Sequence, residues 1–297
     1  KFVLIIGPCS ADDEEAVIEY VKKLGKLQVK YKDKLMIIPR IYTNKPRTTG
    51  EGYKGLLHQP NPNEKPNMLE GIEAIRRLHI NVIKESGLTS ADEMLYPTNY
   101  EYLSDVLSYI AVGARSVENQ KHRLVASGIE HPVGMKNPTS GDLTVMLNSI
   151  KASQIEHSLI FNNDEVKTSG NPLSHSILRG YVDQYGRNFP NYHYEEVKHL
   201  VNNYNDRDLV NQSIIIDTSH ANSNKNYLEQ PRIAMEVLRN RNYDSELKDV
   251  IKGLMIESYL KEGKQAEVGK EFGKSITDPC LGWEQTKELV KNIYNEL

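Results

Sequence analysis

A single-domain α/β fold, a (β/α)8 barrel, is what this sequence predicts. Three observations carry the prediction. Short aliphatic runs recur along the chain, the gaps between them hold amphipathic helical patterns, and the reactive side chains fall directly after the runs. The length, 297 residues, is long for an ordinary domain but usual for a barrel of this kind.

The runs that read as strands are FVLII (2–6), LMII (35–38), YIAV (109–112), HPVGM (131–135), SLIF (158–161), SIII (213–216) and VIKGLMI (250–256). An eighth strand is needed before YIAV, and LTSADEML (88–95) is the candidate, although its apolar pattern is poor. Without it the alternation also fits an open doubly wound sheet. Apolar spacing of three and four places helices at Asp13–Tyr31, Leu69–Lys84, Val117–Ser127, Asp142–Ser153, Tyr194–Tyr204, Gln230–Arg239 and Trp283–Asn295. Ser-Ala-Asp-Asp-Glu before the first of these supplies an N-cap and an acidic first turn. Two connections are long, the one after LMII and the one at 162–192, and long connections in compact domains tend to be functional.

Composition narrows the function classes. With 37 basic and 40 acidic residues, net −3, the chain has no overall attraction for nucleic acid or membrane surfaces. No apolar run approaches the ~20 residues of a membrane helix. Two cysteines fit a reducing cytoplasm and argue against a disulfide scaffold. The chain opens on Lys1 and passes directly into a strand, so the single domain at 1–297 is expected to have lost an N-terminal extension.

The strand ends hold the chemistry. Cys9 follows the first run, and Arg40, Lys45, Arg47 and Thr48 follow the second. Glu93 ends the candidate third strand; Arg115 and Lys136 follow the fourth and fifth. Arg179 lies in the long connection, His220 after SIII, Glu257 after the last run, and Asp278 in the SITDP loop. Barrel enzymes build their sites at this end of the strands. Six cations there exceed what one phosphate needs, and predict two anionic substrates or one carrying both phosphate and carboxylate. Cys9, His220, Glu257 and Asp278 form a mixed soft and hard donor set suited to a borderline divalent ion. On spacing alone the alternatives stand: Cys9 as an inert buried thiol, His220 as a core histidine or general base.

Taken together, IIGPCS, KPRTT, GLTSADEML, GARSVENQKHRLVASG, PVGMKN, SGNPLSHSILRG, IIDTSHANSNK, IESYL and SITDPCLGW resemble the type I (microbial) 3-deoxy-D-arabino-heptulosonate-7-phosphate (DAHP) synthases, in colinear order from residue 5 to residue 283. The resemblance implies the barrel fold and a transferase of the shikimate pathway to aromatic amino acids. Such an enzyme condenses phosphoenolpyruvate with D-erythrose 4-phosphate and releases inorganic phosphate. It implies one divalent metal ion (Mn, Fe, Co or Zn) on Cys9, His220, Glu257 and Asp278. It implies phosphoenolpyruvate on Arg40, Lys45, Arg115, Lys136 and Arg179 with Glu93 nearby, and the sugar phosphate on Arg47 and Thr48. Lys45 would lie between the substrates, and Lys45 or His220 would supply the proton. His122 in QKHR also matches, in a direct or a steadying role. A homodimer or homotetramer in the cytoplasm is implied as well. The rival within the superfamily is a KDO-8-phosphate synthase using arabinose 5-phosphate, which carries a loop resembling KANRSS in place of KPRTT. The rival outside it is a catalytically retired barrel with a binding role, which would be expected to have lost a metal position or a loop cation.

Overall fold

The computed structural model describes residues 1–45, 52–61, 64–266 and 271–297. In chain order its first strands are β1 (Phe2–Gly7), β2 (Leu35–Pro39), β3 (Ser90–Glu93), β4 (Leu107–Val112) and β5 (Val133–Lys136). A hairpin follows, β6 (Ser158–Phe161) with β7 (Asp164–Lys167), then β8 (His175–Leu178) and a second hairpin, β9 (Tyr181–Val182) with β10 (Asn188–Phe189). The last are β11 (Ile214–Asp217), β12 (Ile251–Glu257), β13 (Lys261–Lys264) and β14 (Lys274–Ser275). Helices α1 (Glu14–Tyr31), α2 (Met68–Ser86), α3 (Gln120–Ala126), α4 (Leu143–Gln154), α5 (Tyr194–Asn205), α6 (Gln230–Tyr243), α7 (Ser245–Val250) and α8 (Trp283–Glu296) separate the strands.

Eight strands form one parallel sheet in the order β2-β1-β12-β11-β8-β5-β4-β3. The two ends meet through a single parallel bridge between Arg40 and Ala91, where the Ile41 N–H donates to the Ala91 carbonyl at 2.8 Å. The sheet is therefore a closed barrel. Ile5, Ile38, Tyr42, Ala91, Tyr109, Ala111, Ile177, Ile215 and Met255 fill its interior as a separate apolar cluster. The alternate residues of the same strands, Leu4, Ile6 and Ile216 among them, pack outward against the helices. Gly134 makes room in the interior, since a Cβ there would stand 2.1 Å from the Tyr109 hydroxyl. Side-chain caps start five of the helices, Asp13 for α1, Asn67 for α2, Asn119 for α3, Asp142 for α4 and Asp244 for α7.

The weak LTSADEML segment does supply a barrel strand, β3. The sixth barrel strand is corrected: it is β8, not SLIF. A strand in a barrel is covered on both faces, and all four residues of β8 are buried. SLIF alternates, with Ser158 and Ile160 exposed, and pairs only with β7 across a turn whose Asn162 and Asn163 have φ of 50° and 72°. The polar start of β8 hides its nature. His175 is buried against the Tyr109 hydroxyl at 2.8 Å, and the Ser176 N–H donates to the Tyr204 hydroxyl at 3.0 Å. The short helix α7 has no counterpart in the sequence reading.

Candidate active site

Arg40 closes the barrel and begins the site. Its side chain is 1% exposed. One guanidinium nitrogen donates to the Pro8 carbonyl and the other lies 3.1 Å from Glu257 Oε1. The plane rests 3.8 Å from the centroid of Tyr42. Burial opposes the charge, but Glu257 and the Tyr42 hydroxyl outweigh it and hold the pKa above its ordinary value.

Glu257 is shared with a second group. Strand pairing sets Gly7 of β1 beside Glu257 of β12, which brings Cys9 to the same corner. Asp278 arrives from the loop between β14 and α8. The Cys9 sulfur and one carboxylate oxygen each of Glu257 and Asp278 lie within 4.8 Å of one another. Lys45 Nζ stands 3.2 Å from the Cys9 sulfur and donates to the Cys9 carbonyl. Burial, then the carboxylate of Glu257, pushes the thiol pKa up. A thiol crowded by two carboxylates in a buried corner is a poor arrangement for protons alone. With a divalent ion in place it becomes three anionic donors around one cation, so the residues fit a metal.

His220 stands beside this trio. Its backbone is left-handed, φ 54°, which turns the imidazole so that Nδ1 lies 2.9 Å from Asp217 Oδ2 and Nε2 lies 3.9 Å from Glu257 Oε1. Burial lowers its pKa and outweighs the pull of Asp217, so the ring is neutral. The Ser219 hydroxyl, 2.8 Å from Nδ1, already donates to Asp217, so the proton sits on Nδ1 between Ser219 and Asp217 and Nε2 keeps a free lone pair. Asp217, at the end of β11, is fully buried. It accepts from the Ser219 hydroxyl at 2.7 Å and lies 3.3 Å from Lys136 Nζ. Burial alone would raise its pKa, but His220 and Lys136 hold it well below the usual carboxylate range.

The remaining cations surround the same mouth. Lys136, at the end of β5, is buried and lies 5.6 Å from the Tyr42 centroid, so Arg40 and Lys136 share one ring. Arg179 is buried just beyond β8. Burial lowers its pKa, Asp217 raises it, and Arg115 lowers it again. Arg115 is exposed at the rim. Glu93 is half-buried at the end of β3, and its carboxylate lies over Gly113, where a Cβ would stand 2.1 Å from Oε1. Arg47 and Thr48 lie outside the described residues. His122 is buried on α3, with Nε2 3.1 Å from the Leu95 carbonyl, and so steadies the chain just after Glu93.

Sequence reasoning passed over the residues that hold these in place. Gln230 brackets Glu257, accepting from its N–H at 2.8 Å and donating to its carbonyl at 2.9 Å. Asn137 accepts the Arg179 N–H at 2.9 Å and donates to the Gly180 carbonyl at 2.9 Å. Asn191 and Asn222 extend the ladder: Gly180 N–H donates to Asn191 at 2.7 Å, and Asn191 N–H donates to Asn222 at 2.8 Å. Asp217 is the one that carried a signal, an acid ending an aliphatic strand three residues before His220. Buried amides carry none.

Known proteins resemble this chain over almost its whole length. The family model described as DAHP synthetase I family matches residues 1–291. The Trp-sensitive phospho-2-dehydro-3-deoxyheptonate aldolase of Buchnera aphidicola subsp. Acyrthosiphon pisum is 36% identical over 301 residues, 99% of this chain and 83% of that protein. The phospho-2-dehydro-3-deoxyheptonate aldolase of Haemophilus influenzae is 38% identical, over 99% of this chain and 80% of that protein. Among solved structures, phospho-2-dehydro-3-deoxyheptonate aldolase from Francisella tularensis SCHU S4 superposes with a TM-score of 0.90 at 31% identity, covering 100% of this chain and 85% of that one. With the family model matched from the first strand into the last helix and the barrel shared in full, the chain belongs to the DAHP synthetase I family.

Proposed function

We propose that Arg40, Lys45, Arg115, Lys136 and Arg179 carry the reaction of this family here: phosphoenolpyruvate condenses with D-erythrose 4-phosphate to give DAHP and inorganic phosphate, the entry to the shikimate pathway. The observation that carries the assignment is the shared corner. Arg40 and Lys45 reach Glu257 and Cys9, two of three donors poised for a metal. A cation pocket for an anionic substrate thus abuts a Lewis-acid site.

The buried Arg40, Lys136 and Arg179 hold phosphoenolpyruvate, with Arg115 at the rim and Glu93 beside it. Their charges are desolvated, so each contact to carboxylate or phosphate is strong. Arg47 and Thr48 take the phosphate of the sugar. Cys9, Glu257 and Asp278, joined by His220, hold one divalent ion of the Mn, Fe, Co or Zn type; when bound it supplies Lewis-acid polarisation of the aldehyde oxygen. The methylene carbon of phosphoenolpyruvate attacks the aldehyde carbon, water adds to the cation left at its second carbon, and phosphate departs with C–O cleavage. Lys45 is the better proton donor to the new alkoxide. His220 keeps its proton on Nδ1, turned toward Asp217, and has none on Nε2 to give. Alignment of two mutually repelling anions is the main contribution of these side chains.

We place the enzyme in the cytoplasm, supported by two buried free cysteines, and assign it a homodimer or homotetramer, supported by exposed apolar side chains such as Ile160 and Tyr102. Light scattering behind gel filtration tests the oligomer. Phosphate release from phosphoenolpyruvate tests the reaction. Release with erythrose 4-phosphate and none with arabinose 5-phosphate, abolished by chelation and restored by Mn²⁺, is the expected result. Turnover indifferent to thorough chelation would remove the metal from the scheme.

A further inference from the structure

The layer between barrel and helices is normally apolar, yet beneath the active-site face it contains a closed polar cluster. On β3 the side chain of Ala91 enters the barrel interior, while Ser90 and Asp92 turn outward beneath α2. There His79 of α2 meets both, with Nδ1 2.7 Å from the Ser90 hydroxyl and Nε2 3.3 Å from Asp92 Oδ2. Asp92 reaches the segment after β2: Oδ1 accepts the Thr43 N–H at 2.9 Å and Oδ2 accepts the Thr43 hydroxyl. His79, Ser90 and Thr43 are 0% exposed and Asp92 3%. None of the four faces the substrate mouth.

A buried carboxylate is costly unless its oxygens are filled with donors. Here His79 and the Glu93 N–H, 2.7 Å from Oδ1, supply part of that need, and the loop after β2 supplies two further donors, both from Thr43. Thr43 lies three residues past Arg40 and two before Lys45. Its carbonyl also accepts the Leu57 N–H at 3.3 Å, so the returning limb of the loop rests on the same residue. The seam matters as much. Backbone pairing between β2 and β3 is one bridge at Arg40. Beyond it the ladder has ended, and Asp92 continues the attachment with its side chain, just where the cationic segment leaves the barrel.

We propose that Asp92, held by His79, is a positioning residue of the substrate site: it fixes Thr43, and through Thr43 the path from Arg40 to Lys45. The proposal rests on the assignment of Arg40 and Lys45 to the substrates. Small displacements of a group that aligns two reactants are expensive in rate, about a hundredfold for 1 Å.

The test is steady-state kinetics on full-length Asp92→Asn, Thr43→Val, their double variant and Thr43→Ser, with Lys45→Ala as control and metal titration of each apoprotein as the second readout. Asp92→Asn and Thr43→Val are each expected to lower kcat/KM by about tenfold or more, chiefly in kcat. Metal affinity should stay at the wild-type value. The double variant should lose no more than the worse single, and Thr43→Ser, which restores the hydroxyl, should recover most of the rate. Wild-type kcat/KM in a folded Asp92→Asn would overturn the proposal, as would losses that multiply in the double variant or that follow the folded fraction. Should Asp92→Asn not fold, the comparison of Thr43→Val with Thr43→Ser decides alone. An active Lys45→Ala overturns the substrate assignment and the proposal with it; an inactive Lys45→Ala beside an unimpaired Asp92→Asn overturns the proposal only.

Discussion

Asp217 illustrates how one side chain serves two chemistries. It neutralises Lys136 and sets the tautomer of His220, in both cases without reaching the mouth itself. Converting it to asparagine leaves a buried ammonium without its counter-charge, a loss of about 3–5 kcal/mol in stability. The amide also leaves His220 less firmly oriented, and metal affinity should fall roughly 10–100-fold. Urea denaturation of the apoprotein and metal titration read the two effects separately; wild-type values in both would show that Asp217 holds neither. Asp12 gives the opposite sign in pH. Burial pushes its carboxyl up to about 7, and its Oδ1 has no hydrogen-bond partner among the described residues. The folded chain therefore keeps a proton that the unfolded chain releases near pH 4. The stability this group contributes is full below about pH 4 and is lost as pH rises toward about 7. Asp12→Asn should gain on the wild type by on the order of 1–3 kcal/mol at pH 8, a gain that shrinks toward pH 4. Denaturation midpoints across that range measure it, and parallel pH profiles for the two proteins would contradict it.

The elements divide into those that build the barrel and those attached to it, and the β6–β7 hairpin belongs to the second kind. Its turn asks for positive φ at both central residues, which Asn tolerates and Gly adopts freely. Asn163→Gly should stabilise the hairpin by a few tenths of a kcal/mol to ~1 kcal/mol and leave kcat unchanged, since Phe161–Asp164 pairing lies outside the barrel ladder. Urea midpoints and turnover of the variant test both halves; a changed kcat would tie the hairpin to the active site. The same hairpin shows where sequence reading runs out. SLIF has the apolar content of a barrel strand and HSIL does not, yet HSIL is the buried one. Tyr109 and Tyr204 satisfy His175 and Ser176 from other elements, and such partners are invisible along the chain. β3 was legible only by count and by resemblance, because its outward positions carry Ser90 and Asp92 where a barrel strand usually carries aliphatics. Cys9, Arg40, Lys136 and Glu257 could be named as candidates because each ends or follows a strand that reads clearly, whereas Arg179, just past β8, and Asp278, in a loop, had no such strand to mark them. Gln230 and the asparagine ladder were not legible, since a buried amide is recognised only by what surrounds it.

At the scale of the whole molecule, the candidate metal corner joins the two ends of the chain. Cys9 and Asp278 are 269 residues apart, and Glu257 ends the strand that pairs with β1. An ion held there braces β1, β12 and the last loop against one another, in a protein whose other closing seam is a single bridge. Binding to the folded chain alone should then raise global stability by RT ln(1 + [M]/Kd), about 2.7 kcal/mol at a hundredfold excess over Kd. The thiol adds a pH term. Burial keeps Cys9 protonated in the free protein, whereas a metal ligand must be the thiolate, so binding expels a proton. Apparent affinity should therefore rise with pH, by about tenfold per unit where one proton is released. Titration of the apoprotein with Mn²⁺ in buffers of different ionisation enthalpy counts that proton. Thermal midpoints over a metal series should climb in the wild type and stay flat in Cys9→Ala. A climb of equal size in Cys9→Ala would mean that the ion binds elsewhere, and metal uptake with no proton released would mean that the sulfur is not among its ligands.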